Sequence, residues 1–225
     1  MRSQNSNSSR GRPRDDHAPW RIFRLMADTL VVIRAGSTDF DLHGRIRGTL
    51  DIPLCAEGLA EAKAAATALT TAPPAAVYAA PDACSLETAR HVARACGVRA
   101  RRLDDLANLD QGLWQGMLVD EIRLKQPRLY RQWQDNPWAV SPPEGELLED
   151  ACGRVEAVLE RMLRRHPTGR IALVAPAPLD QIVRWLTAGQ SLGDLWGRGP
   201  AESAIVHVAL ASQWKRPAML EKARA

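Results

Sequence analysis

No stretch of this sequence approaches the roughly 18–20 consecutive apolar residues of a membrane span, so no transmembrane segment is expected. The opening residues, Met1 to Ser9, are polar and lack the apolar centre of a secretory signal. Cysteine is scarce. Cys55, Cys84, Cys96 and Cys152 include no CxxC pair and have no histidine at finger spacing, which argues against a zinc site. The expectation is a cytoplasmic protein with reduced thiols, no metal and no cofactor. Excess charge is also missing from most of the chain. The 30 basic and 26 acidic residues leave a net +4. The arm 1–25 accounts for it, with Arg2, Arg10, Arg12, Arg14, Arg21 and Arg24 against Asp15 and Asp16. Residues 26–225 are balanced. A nucleic-acid module would carry its positive charge on the folded part, so nucleic acid is not an expected partner, and neither is a membrane.

What is present is enough for one core. The chain has 225 residues, 45% of them hydrophobic, which suits a single α/β domain and is too little for two large ones. Residues 1–25, rich in Ser, Asn, Arg and Pro, read as a disordered basic arm, and 26–225 as the domain. Thr29 to Ile33 is a short β-branched run of the kind found in buried parallel strands. Ala76 to Ala79, Arg170 to Ala175 and Ala204 to Leu210 repeat that pattern. Between them, helices are expected over 57–70, 85–96 and 179–188, with Gly97 and Gly189 as stops. Leu148, Cys152, Val155, Leu159 and Met162 form one apolar helical stripe. The stretch from Leu113 to Trp138, with Trp114, Tyr130, Trp133 and Trp138, is expected to form helical insertions over the sheet. Strands alternating with helices imply three layers, α/β/α, around a mostly parallel sheet.

In such sheets ligands bind beyond the carboxyl ends of the strands. Those places read Arg34-Ala35-Gly36, Ala80-Pro81-Asp82-Ala83-Cys84 and Ala175-Pro176-Ala177-Pro178. Arg34-x-Gly36-x-Thr38, the segment Arg45-Ile46-Arg47-Gly48-Thr49-Leu50-Asp51-Ile52-Pro53-Leu54 with Gly58, Pro81 with Thr88-Ala89, Gly112-Leu113-Trp114-Gln115-Gly116 and Pro142-Pro143-Glu144-Gly145-Glu146 follow one another in order. In that order and spacing the chain resembles the histidine phosphatase superfamily, also called phosphoglycerate mutase-like, from about Leu30 to Leu210. The resemblance implies a histidine that attacks phosphorus, two arginines and a second histidine around the phosphate, and a carboxylate that protonates the leaving oxygen. Each group answers a chemical need: a lone pair at neutral pH, fixed cations facing the transferred group and a proton for the alkoxide.

The resemblance also shows what is gone. Arg34 matches the first arginine and is the one residue expected to bind ligand. The nucleophile falls at Ala35, the second arginine at Cys84, the carboxylate at Asn108 and the second histidine at Pro176. None can do the family's work, so no catalytic residue is assigned to these four positions. Asp41 stands where the family has Asn, and with Asp82 it would repel a phosphate. The expectation is a degenerate member: a pseudoenzyme that binds a partner protein, a second copy of itself or a small ligand in the altered pocket, which Ala35, Cys84, Asn108 and Pro176 would line with less charge and more apolar surface. Trp114, Tyr130, Trp133 and Trp138 offer either a contact surface or core packing. The alternative is a weak or repurposed phosphatase or phosphomutase acting on a phosphomonoester, with Arg34, Asp41, Glu146 and Asp180 as polar tools. His43 or Cys84 would then be the substitute nucleophile. His91 reads as a solvent or core-edge residue, His166 as a helix-terminal cation and His207 as a core or edge residue within its strand.

Overall fold

The computed structural model describes residues 29–190, together with Leu192, Leu195, Trp196 and residues 204–209. The arm 1–25, with His17, lies outside the described residues. Among the described residues, five strands form one sheet: β1 (Thr29–Arg34), β2 (Ala76–Ala79), β3 (Ala100–Arg102), β4 (Arg170–Ala175) and β5 (Ile205–Ala209), in the order β3-β2-β4-β1-β5. β1 lies parallel to β4, with Arg34 opposite Ala175, and β2 lies parallel to β4 and to β3. Only β5 runs antiparallel, against β1.

The central strands bury both faces, which explains why they are continuous apolar runs. Alternate residues divide between two cores. Leu30, Val32, Tyr78, Ile171 and Leu173 face one way. Val31, Ile33, Val77, Ala79, Ala172 and Val174 face the other. The second face is covered by α2 (Ala56–Ala68) and α3 (Ala83–Ala95), whose alanines let them lie close. The first face is covered by α6 (Leu148–Arg164) and α7 (Leu179–Ala188). The expected stripe from Leu148 to Met162 lies wholly in that core. Chain order is completed by α1 (Asp39–Leu42), α4 (Val119–Lys125) and α5 (Pro127–Asp135).

The α4–α5 region forms the expected helical cover, and it decides between the two roles offered for its aromatics. Trp114 and Trp133 are 1% exposed and Tyr130 is 9% exposed. They meet Trp196 in a cluster with Trp133–Trp196 centroids 5.0 Å apart and stacked, and Trp114–Trp196 4.9 Å apart edge-on. These rings are core, not a contact surface; Trp138, half-buried, packs on Trp185. β3 was not anticipated. Its residues Arg101 and Arg102 are exposed and polar because it is a short edge strand, and an edge needs no apolar run. Among the described residues no helix is long and apolar enough to cross a membrane.

Candidate functional site

The site is built from loops at the carboxyl ends of β1, β2 and β4. Beyond Arg34 the chain is held in register: the Ala35 N–H donates to Ala175 O at 2.8 Å and the Gly36 N–H to Thr88 Oγ1 at 3.1 Å. The loop then presses on the start of α2. A Cβ on Gly36 would lie 2.2 Å from Gly58 O, and one on Gly58 would lie 1.9 Å from Ser37 O. This backbone-to-backbone contact is why both motifs carry glycine. Next comes α1, capped by Thr38, whose N–H and Oγ1 donate to Asp41 Oδ2 at 2.7 and 2.6 Å.

A cleft of about 360 Å³ opens here, lined on its polar side by Arg34, Asp41, His43, Arg45, Arg47, Gln111 and Asp120, with Ala35, Pro178, Leu195 and Trp196 among the rest. Of the four family positions expected to line it, only Ala35 does. Cys84, Asn108 and Pro176 lie behind the wall, fully buried or nearly so. The lining carries charge of both signs, Arg34, Arg45 and Arg47 with Asp41 and Asp120. Arg47 brings one of these charges from the loop after α1. This residue is only 6% exposed, and its Nη1 donates to Cys84 Sγ at 3.0 Å. Its Nη2 reaches Ala177 O at 3.4 Å. Arg47 therefore covers the thiol and brings a cation beside α3, where position 84 itself has none.

Cys84 is the second residue of α3 and stands in its first turn, after the cap Asp82. Its thiol donates to Asp82 Oδ1 at 2.8 Å. Burial pushes its pKa far up, and the positive charge of Arg47 offsets this only in part. A neutral, covered thiol is no nucleophile, which removes Cys84 as the substitute. Asp82 caps α3 through the Ser85 N–H at 2.9 Å and does not line the cleft. The amide of Asn108 ties two loops together, donating to Gly48 O at 2.8 Å and Ala177 O at 3.1 Å. Pro176 O accepts the Asp180 N–H at 3.0 Å as α7 begins.

Arg34 does line the cleft, with its Nε 3.1 Å from Asp180 Oδ2. Asp180 is wholly buried and also accepts from Arg184. Asp41 lies 3.6 Å from Arg47 Nη1. Glu146 is elsewhere, clamped to Arg154 at 2.6 and 2.8 Å, and is no tool of the cleft. His43 borders the cleft with its Nδ1 2.7 Å from Asp39 O. His166 corrects another expectation. Its Nε2 lies 2.7 Å from the Tyr78 hydroxyl; burial, then Arg101 and Arg165, lower its pKa, so the neutral ring is favoured over a helix-terminal cation. His91 is half-buried on α3, and His207 is exposed on the edge strand β5. Arg47, Gln111, Asp120 and Trp196 are among the site residues not anticipated. A signal for Arg47 existed: it puts a charge where the resembling motif has Gln, just as position 84 loses one.

Known proteins share this fold. Residues 30–217 match the family model described as histidine phosphatase superfamily (branch 1). Phosphoserine phosphatase 1 of Hydrogenobacter thermophilus is 28% identical over 181 residues, covering 80% of this chain and 86% of that protein. Glucosyl-3-phosphoglycerate phosphatase of Mycobacterium tuberculosis is 28% identical over 144 residues, 64% of each. The solved mycobacterial glucosyl-3-phosphoglycerate phosphatase superposes with a TM-score of 0.71 at 23% identity, covering 80% of this chain and 92% of that one. The Bacillus stearothermophilus protein YhfR gives 0.70 at 23% identity, over 82% and 96%. With the match running from β1 through β5, the chain belongs to the histidine phosphatase superfamily.

Proposed function

We propose that this superfamily member is a pseudophosphatase, a binding or regulatory protein that keeps the cleft and has lost the reaction. The single observation that carries this reading is Ala35. Its methyl group stands at the carboxyl end of β1, beside Arg34, where the superfamily's attacking imidazole is expected, and its backbone is pinned to Ala175. Hydrolysis of a phosphate monoester needs acceleration of up to ~10²¹-fold. Removing a nucleophile alone costs on the order of 10⁶-fold, because the groups around it act as a unit. Asn108 and Pro176 supply neither the acid nor the second imidazole.

A second reading has its own support. His43 borders the cleft, and a carbonyl oxygen can only accept, so the His43 Nδ1 facing Asp39 O carries the proton. Its Nε2 then holds a lone pair. Two of the relatives are named as phosphatases of phosphoserine and of glucosyl-3-phosphoglycerate. On that basis the chain would be a weak phosphomonoesterase with a displaced nucleophile. One experiment separates the two. The purified protein is incubated with an aryl phosphate and with O-phosphoserine, and both released phosphate and acid-labile phosphohistidine are measured. The pseudophosphatase reading expects neither above buffer. Turnover that His43→Ala abolishes would replace it with the second reading.

A further inference from the structure

We infer that the open edge of β3 is a docking site for an acidic, extended segment of a partner protein, which adds to the sheet as a further strand and sets its carboxylates against the arginines gathered there. The inference does not rest on the reading of the cleft: among the described residues, none from 84 to 110 lines it.

The backbone supplies the template. β3 ends the sheet and, among the described residues, pairs with β2 alone. Its register sets Tyr78 opposite Arg101 and Ala79 opposite Arg102, and the Leu103 N–H donates to Ala79 O at 2.9 Å. In a parallel ladder alternate residues bond to the same neighbour. Arg101 and Leu103 therefore turn their main-chain groups to β2, while Ala100 and Arg102 turn theirs outward. An edge with outward N–H and C=O groups is ready to receive another strand. The side chains divide between the two faces. Arg101 lies on the α6 side, where it reaches the Tyr78 hydroxyl at 3.4 Å and its guanidinium carbon stands 5.8 Å over the centre of that ring. Ala100 packs with the core under α2 and α3, and Arg102, two residues on, shares its face.

Charge selects the partner. From Thr88 to Leu103 the chain holds five arginines, Arg90, Arg94, Arg99, Arg101 and Arg102, and no Asp or Glu, although residues 26–225 as a whole are balanced. All five are exposed. Arg90 and Arg94 stand on α3, which packs against β3. Of the five, only Arg102 forms an ion pair among the described residues, with Asp104. A second copy of this chain is a poor occupant, since two such edges side by side would set arginine against arginine. A nucleic-acid backbone would use the arginines and leave the outward main-chain groups of Ala100 and Arg102 unmatched. An acidic strand uses both. It bonds to those groups, sets carboxylates across from Arg101 and Arg102, and is drawn in by Arg90, Arg94 and Arg99 around them.

The test uses the full chain and, as probe, a fluorescent peptide of about eight residues made of Glu, Val and Thr, with the same peptide carrying Lys for Glu as control. Saturable binding is expected for the acidic peptide alone, weakening as salt is raised. Bound peptide should slow hydrogen exchange at the Ala100 and Arg102 amides, which loose ionic contact would not do; this arm needs no variant. Arg99→Glu combined with Arg102→Glu should weaken the acidic peptide on the order of tenfold or more and admit the Lys peptide instead, because the charges have been exchanged. Both side chains are exposed, so the fold does not depend on them. No binding of the acidic peptide, binding without slowed exchange at Arg102, or undiminished binding by the charge-reversed protein overturns the inference. So does a single-stranded oligonucleotide that binds these arginines more tightly than the peptide, or a dimer of the free chain joined through this edge. None of these outcomes touches the reading of the cleft.

Discussion

Arg154 and Arg47 are both arginines drawn in from loop-facing positions, and they are paired in opposite ways. Arg154 is filled. Its Nε and Nη2 grip Glu146 at 2.6 and 2.8 Å, and its Nη1 and Nη2 hold Ala107 O at 2.6 Å and Asn108 O at 3.0 Å. That is a planar fork used to capacity, and it ties the 107–110 segment to α6. Arg47 is more deeply buried and less well matched. The difference is one of completion: the Arg154 fork is filled on every side, while Arg47 Nε has no hydrogen-bond partner among the described residues.

The comparison can be broken by substitution. The largest effect is expected at Arg154. Arg154→Leu strands the Glu146 carboxylate and two carbonyls and should cost about 3 kcal/mol of stability, read as a lower urea midpoint at unchanged m-value. Arg47→Leu should cost less than about 1 kcal/mol or raise stability, because an apolar side chain replaces a buried charge that was never well paired. Equal losses at the two positions would erase the distinction. The smallest effect concerns the third arginine environment, where Arg101 reaches the Tyr78 hydroxyl at 3.4 Å and His166 accepts or donates at the same oxygen. The folded state lowers the His166 pKa from its ordinary 6.5. Above that value the ring is neutral folded and unfolded, and contributes nothing. Below it the unfolded chain takes up a proton that the folded chain resists, so stability falls as pH falls. His166→Gln should flatten that part of a stability–pH profile measured by urea unfolding, and an unchanged slope would remove the effect.

The fold was legible because its signals are local. Four apolar runs, the stripe on α6 and glycines at 36 and 58 each announce themselves within a few residues. β3 was not legible, since an edge strand with Arg101 and Arg102 carries no such run. The substituted positions could be aligned by motif, but their surroundings could not. Arg47 meets Cys84 across 37 residues and Arg34 meets Asp180 across 146. Periodicity is blind to those distances. Thus the cation beside Cys84 comes from a neighbouring loop, out of reach of any local pattern. His166 misled for a related reason: its helix-end position suggested a cation, and Tyr78 and Arg101 from the sheet reversed that.

Trp196 gives the molecule a built-in optical gauge. It borders the cleft while stacked on Trp133 and set edge-on to Trp114. Indoles this close couple their transitions, so whatever enters beside Trp196 alters near-ultraviolet dichroism and emission without any label. Occupancy of the cleft can thus be followed by light alone.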